Sequence, residues 1–319
     1  MKKRILAVLI ATALAVSVTG CAGNATSSSD STSASSVAES SDTSTQTSAD
    51  ASSEDESKDE SSQEESKDLE ANYTKYTLDG DLTQHMIDMS RLNEGNKVRL
   101  ANVIKKLKNG EEVTVGFIGG SITQGTSAGN DLCYAKLTAD WLQQTYSNAK
   151  INYVNAGIGA TGSYIGVHRV ENDLLSKKPD RVFVEFSVND TTENTERNKK
   201  SYDGLLRTIW KSSTNPAIIT IATTQEDGTS FQDQHAEIVK HYDLPMISYR
   251  NTVLDTIKHG DIVWKDISDD NIHPNVPGHK IVSQLLQAYI SDVDKDVDNI
   301  SGSESDFTTP ATDAPIENG

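Results

Sequence analysis

Cysteine is nearly absent. Cys21 and Cys133 are the only two in 319 residues, so no disulfide framework holds this chain together and its fold must rest on a packed core. No apolar run reaches the roughly 20 residues that a membrane-spanning helix needs. The longest, Ile5 to Val18, follows the basic start Met1-Lys2-Lys3-Arg4 and reads as a secretory signal. Between Ala22 and Asn72 there is no aromatic residue and hardly any branched apolar one, so this stretch cannot bury enough surface to offset the entropy of ordering it. Basic residues are scarce as well, with 29 Lys and Arg against 47 Asp and Glu and a net charge of −18. Without a basic patch, nucleic acid is excluded as a partner. No Gly-Lys-Ser/Thr phosphate loop, no His-Glu-x-x-His and no second His/Cys pair at ligand spacing occurs, so neither a cofactor nor a metal is expected.

What is present divides the chain into four parts. Residues 1–21 are the signal, and its end, Val18-Thr19-Gly20-Cys21, resembles the bacterial lipoprotein cleavage box. That resemblance implies that Cys21 becomes the first mature residue and carries lipid, leaving Cys133 as the sole thiol. The protein is then expected to be extracytoplasmic and lipid-anchored to the bacterial cell membrane. Residues 22–72 read as a disordered tether, with 13 acids against 2 lysines. Residues 292–319, with 8 acids and 1 lysine, read as a disordered acidic tail. The folded domain is expected to be residues 73–291. It is nearly neutral, since most of the acidity lies in the ends, and it contains no internal repeat.

Within that domain short β-rich runs alternate with amphipathic stretches. Strands are expected at Val113–Ile118, Ile151–Asn155, Arg181–Phe186, Ala217–Ala222 and Pro245–Ile247. Helices are expected at Leu92–Leu107, Leu132–Tyr146, Tyr164–Leu175, Ser201–Lys211, Phe231–Tyr242 and Pro277–Ile290. Continuous apolar strands imply a parallel sheet covered on both faces. Strand–helix alternation implies right-handed crossovers. The fold class is therefore α/β, a three-layer α/β/α sandwich on a mostly parallel five-stranded sheet. Ligands bind such sheets beyond the carboxyl ends of the strands.

Those ends carry unusual residues. The first strand runs into Gly119-Gly120-Ser121-Ile122-Thr123, where two glycines allow a sharp turn that exposes the Ser121 hydroxyl. A serine hydroxyl becomes a nucleophile only beside a base; a helix-capping serine or an anion-binding turn is the alternative reading. The second strand ends in Asn155-Ala156-Gly157-Ile158-Gly159-Ala160-Thr161-Gly162-Ser163, a loop whose backbone N–H groups can approach a ligand. The third ends in Ser187-Val188-Asn189-Asp190, and an Asn there can offer amide hydrogens to a developing oxyanion or simply close a turn. Asp270-Asn271-Ile272-His273-Pro274 precedes the last helix. A carboxylate three residues before a His can orient the imidazole and stabilise its charged form; a capping turn or half a metal site are the alternatives. Arg169 and Trp264 read as structural residues that could also face the site, and Glu185 as a buried, paired acid. His279 reads as structural, and His85, His235, His241 and His259 as surface residues.

The order of these four blocks on successive strand ends resembles that of the SGNH hydrolase superfamily, the GDSL-like esterases, over about Val113 to Ile290. The resemblance implies Ser121 as nucleophile, His273 as general base and Asp270 as its orienting acid. The oxyanion would be held by the Ser121 N–H, the Asn189 side chain and an N–H of Gly159 or Ala160. Gly120 stands where the family often has Asp, and Ala160 stands at the family's oxyanion glycine. The implied function is serine-dependent hydrolysis of carboxylic esters, with short acyl groups on extracellular carbohydrate as the expected substrate. Transfer of acyl groups to sugar hydroxyls, or glycan binding without catalysis, are the alternatives. The polar neighbours Thr123, Gln124, Thr126, Thr161 and Ser163 favour a short acyl group.

Overall fold

The computed structural model describes residues 73–191 and 194–317; the expected signal, Cys21 and the tether lie outside them. After a short helix α1 (Gln84–Ser90), strand β1 (Arg91–Asn93) and helix α2 (Val98–Lys108), the chain enters β2 (Glu112–Gly119), a single turn α3 (Ser121–Gln124) and α4 (Tyr134–Thr145). There follow β3 (Lys150–Gly157), α5 (Ser163–Asp173), β4 (Arg181–Glu185) and α6 (Thr195–Trp210). The remainder is β5 (Ala217–Ala222), α7 (Gln232–His241), β6 (Met246–Ser248), α8 (Tyr249–Lys258), the turn α9 (Trp264–Ile267) and α10 (Val276–Lys295).

The sheet has six strands in the order β1-β6-β5-β4-β2-β3. All neighbours are parallel except β1, which pairs antiparallel with β6 through Arg91 opposite Ile247. The five expected strands thus form the parallel part, and β1 is a sixth at the edge. Alternation assigns side chains to the two faces. Phe117, Phe183, Ile219 and Ile221 pack into one core cluster with α2, α4 and α10. Ile118, Val182, Val184 and Ile218 pack into the other with α5, α6 and α7. This is the three-layer sandwich that the strand–helix alternation implies.

Two expectations need correction. The helix expected over Leu92–Leu107 begins at Val98, because Gly95 takes a φ of 61° and a side chain there would collide with the backbone of Leu244 and Pro245. The chain upstream becomes the edge strand β1. The disordered tail expected from Asp292 is ordered through residue 317. Helix α10 runs on to Lys295, and the segment beyond it packs back on α6. Phe307 is buried between the rings of Tyr242 and Trp210, at centroid distances of 3.9 and 4.4 Å. Its acids find cations: Glu304 pairs with Arg99 at 2.7 Å, and Glu317 with Arg207 and Lys211. Acid-rich composition suggested disorder, but basic residues of the domain answer those charges and one aromatic anchors the segment.

Candidate active site

The sheet order places β3 on one side of β2 and β4 on the other. The crevice at such a reversal, beyond the carboxyl ends of the strands, is where open α/β sheets bind ligands. Ser121 follows directly on β2, at the start of α3. Gly120 is needed at the turn, since a Cβ there would overlap Asn189 Oδ1. This is the physical reason a side-chain-bearing residue is absent before Ser121: the third block lies flat against the first.

His273 Nε2 lies 2.9 Å from Ser121 Oγ, and His273 Nδ1 lies 2.8 Å from Asp270 Oδ2. The other oxygen, Oδ1, accepts the backbone N–H groups of Ile272 and His273 at 2.7 and 2.6 Å. With Asp270 accepting from Nδ1–H, the neutral imidazole presents its Nε2 lone pair to the serine hydroxyl. Partial burial raises the Asp270 pKa, but hydrogen bonds from the His273 ring and from the two N–H groups outweigh it and hold the carboxyl below its ordinary value. The turn is braced from behind. The Trp264 indole N–H donates to the Asp270 carbonyl at 2.6 Å, and the Ser268 hydroxyl donates to the His273 carbonyl at 2.6 Å. Trp264 is therefore a buried packing residue with a specific donor role.

The two candidates in the second loop separate clearly. The Gly159 N–H donates to Gln124 Oε1 at 3.0 Å, so a side chain of the first block already engages it. Ala160 adopts a left-handed φ of 57°, at a cost of roughly 1–2 kcal/mol for a residue with a Cβ, and lies with Asn189 in the wall of one cavity. Strain of this kind gathers at functional sites. That cavity, of about 260 Å³, is also lined by Gly162, Tyr164, Ile165, Asp190 and Arg197. The Arg197 guanidinium lies 4.7 Å from the centroid of the Tyr164 ring.

Several supporting residues were not legible in the sequence. Asp190 is 1% exposed; its Oδ1 accepts the Ser163 N–H at 2.8 Å, and its Oδ2 lies 2.9 Å from His235 Nε2. It thereby ties the second loop to the third. His235, expected at the surface, is fully buried and stacked on Tyr202 at 3.6 Å. His85 is buried too. Their polar neighbours gave no local signal, because Asp190 and His235 are 45 residues apart. Arg169 does not face the crevice: its guanidinium donates to the carbonyls of Gly119 and Ala156 at 3.0 and 2.6 Å, clamping the ends of β2 and β3. Glu185 is buried and paired as expected. Its Oε1 accepts from the Thr223 hydroxyl and the Ser187 N–H at 2.7 and 3.1 Å, while burial pushes its pKa up. His279 accepts the Tyr134 N–H through Nδ1 at 3.1 Å, and burial lowers its pKa to about 4.

A serine, a histidine and an aspartate stand in one hydrogen-bonded series at the switch point of a parallel sheet. Residues 117–281 match the model of the GDSL-like lipase/acylhydrolase family, and the chain belongs to that family. Two crystal structures resemble it, both of a two-domain esterase active on acetylated mannans, one of them co-crystallised with mannopentaose. Each is 37% identical over 71% of this chain, with TM-scores of 0.66 and 0.68. The chain spans about 60% of that esterase's length. A comparison with curated proteins finds no match.

Proposed function

We propose that this protein is a serine-dependent carboxylic ester hydrolase that removes acetyl groups from carbohydrate outside the cell, held to the membrane through lipid on Cys21. The observation that carries the reading is the unbroken series from Ser121 Oγ through His273 to Asp270. In the acylation step Ser121 Oγ attacks the ester carbonyl carbon while its proton passes to His273 Nε2, and Asp270 stabilises the imidazolium. The carbonyl oxygen becomes an oxyanion held by the Ser121 N–H, the Ala160 N–H and the Asn189 amide. Collapse breaks the bond to the sugar oxygen, which takes the proton back from His273. Water then attacks the acyl-serine, with His273 again as base, and acetate leaves with Ser121 restored.

The surroundings support a short acyl group on a polar alcohol. A long acyl chain gains about 0.8 kcal/mol per buried CH₂ only in a continuous apolar groove. Ile122, beside the serine, is turned into the core. The cavities flanking the site are lined by Asn189, Asp190, Arg197 and Asn198, with Tyr164 and Ile165 as the apolar members, on one side and by Gln124, Asn130, Tyr153 and Asn155 on the other. Activity of the similar two-domain esterase on acetylated mannans agrees with this. The test compares kcat/KM across acyl lengths and measures acetate released from acetylated mannan. Acetyl esters should be strongly preferred to octanoyl, and Ser121→Ala should fold normally with nearly all activity lost. A rate that climbs beyond butyryl overturns the acetyl reading, and full activity in Ser121→Ala overturns the nucleophile.

A further inference from the structure

Away from the crevice, α1 and α8 bring three metal-ligating side chains together. Asp255 and His259 stand four residues apart at the end of α8, one turn above each other on one helix face. His85 reaches them from α1. His85 Nε2 lies 2.6 Å and His259 Nδ1 3.2 Å from the same oxygen, Asp255 Oδ2. Their ligand atoms all fall within 4.8 Å of one another. We propose that His85, Asp255 and His259 form a zinc site, a departure from the expectation that no metal is used.

The geometry fits. In a tetrahedral zinc site with bonds of about 2.0–2.1 Å, ligand atoms stand about 3.3 Å apart. The His259–Asp255 spacing of 3.2 Å is close to that value, and the His85–Asp255 spacing of 2.6 Å needs to open by about 0.7 Å. The two imidazole rings meet edge to face, 82–83° being the angle between His85 and its ring neighbours, with centroids 5.7 Å apart for the histidine pair. With all ligand atoms within 4.8 Å of one another, the two histidine nitrogens would close by at most about 1.5 Å to reach the zinc spacing. Tyr73 stacks on the His259 ring at 4.1 Å and fixes its plane. Two imidazoles and one carboxylate suit zinc better than the oxygen-seeking magnesium or calcium, and a water would complete four-coordination. Freeing His259 Nδ1 for the metal leaves the Asp255 carbonyl satisfied, since the His259 backbone N–H also donates to it at 3.0 Å. The site would clamp the start of the domain to α8. Next to it Asp261 accepts the Tyr76 N–H at 2.7 Å, upstream of the turn that carries Asp270 and His273.

The full chain, stripped with chelator, is loaded with excess zinc chloride and desalted, and the retained zinc is counted by plasma mass spectrometry. One zinc per chain is expected in the wild type and in His273→Ala, which separates this site from the histidine at Ser121. His259→Ala and Asp255→Asn should lose the zinc while keeping the wild-type circular dichroism and ester hydrolysis. Cobalt loading of the wild type should give the intense visible bands of a tetrahedral ion, absent in His259→Ala. Zinc should also raise the Tm of the wild type and leave that of His259→Ala unmoved. No zinc retained by the wild type, or full retention in both His259→Ala and Asp255→Asn, overturns the assignment.

Discussion

Asp270 divides its work between its two oxygens. Oδ1 holds the backbone N–H groups of Ile272 and His273, while Oδ2 faces His273 Nδ1. An asparagine can reproduce the first role but not the second. In Asp270→Asn the amide nitrogen would donate to Nδ1, placing the ring proton on Nε2, where it faces Ser121 Oγ instead of accepting from it. The turn should survive, with stability within about 1 kcal/mol of wild type, while kcat falls by about 10³–10⁴ at nearly unchanged KM. Steady-state kinetics beside a thermal melt decide it: a large loss of Tm with modest loss of kcat would make Asp270 a structural cap. Ala160 offers the opposite experiment. Its left-handed φ of 57° suits glycine at no steric cost, so Ala160→Gly should keep activity and gain up to about 1 kcal/mol of stability. The gain is limited because glycine also frees the unfolded chain. Loss of activity with an unchanged melting curve would show that the methyl group itself contacts substrate.

Elements rather than single residues decide how the loops are held. The loop between α3 and α4 is fastened to α10 by His279, whose Nδ1 accepts the Tyr134 N–H. Burial lowers its pKa from 6.5 to about 4. Between those values the unfolded chain binds a proton that the folded chain refuses, so stability is fully present above about pH 6.5 and declines as pH falls toward 4. The span corresponds to about 3 kcal/mol. His279→Asn, which keeps an acceptor near Nδ1, should flatten that part of the stability profile. Urea melts between pH 7 and pH 4.5 measure it, and an equal slope in both proteins removes His279 as its cause. Local pattern made the parallel strands, the main helices and the four blocks at the strand ends legible, because buried strands read as apolar runs and turns need their glycines. It could not show β1, three residues long and held by pairing with β6 and by contacts with distant segments such as Arg91 to Asp292. Nor could it show the Asp190–His235 contact, which exists only once segments 45 residues apart meet. The engagement of the Gly159 N–H by Gln124 is likewise a tertiary fact.

At the scale of the whole molecule, the acidic C-terminal segment is part of the domain, and two kinds of interaction could hold it there. The ion pairs of Glu304 with Arg99 and of Glu317 with Lys211 join partly exposed partners, and such pairs contribute about 0–1 kcal/mol each and weaken with salt; the pair of Glu317 with the buried Arg207 is not of that kind. Phe307 differs. It is 7% exposed, stacked between Tyr242 and Trp210, and its carbonyl accepts from Arg207 Nη1 at 3.0 Å. Removing a buried phenyl ring costs about 3–5 kcal/mol in a closed core, and the lower end suits a segment that can partly collapse into the gap. Phe307→Ala should therefore lower Tm by roughly 6–12 °C, taking about 2–4 °C per kcal/mol for a domain of this size. Replacing Glu304 by glutamine, which touches only the more exposed pair, should lower it by far less. Among the described residues none of the segment's hydrogen bonds reaches Ser121, Asp270 or His273, so kcat/KM on a small acetyl ester should be unchanged at a temperature where both variants are folded. High salt separates the contributions further, since it weakens the ion pairs and leaves the aromatic stack intact. If Phe307→Ala melts with wild type while the glutamine variant falls, charge holds the segment, and the stacked ring is incidental.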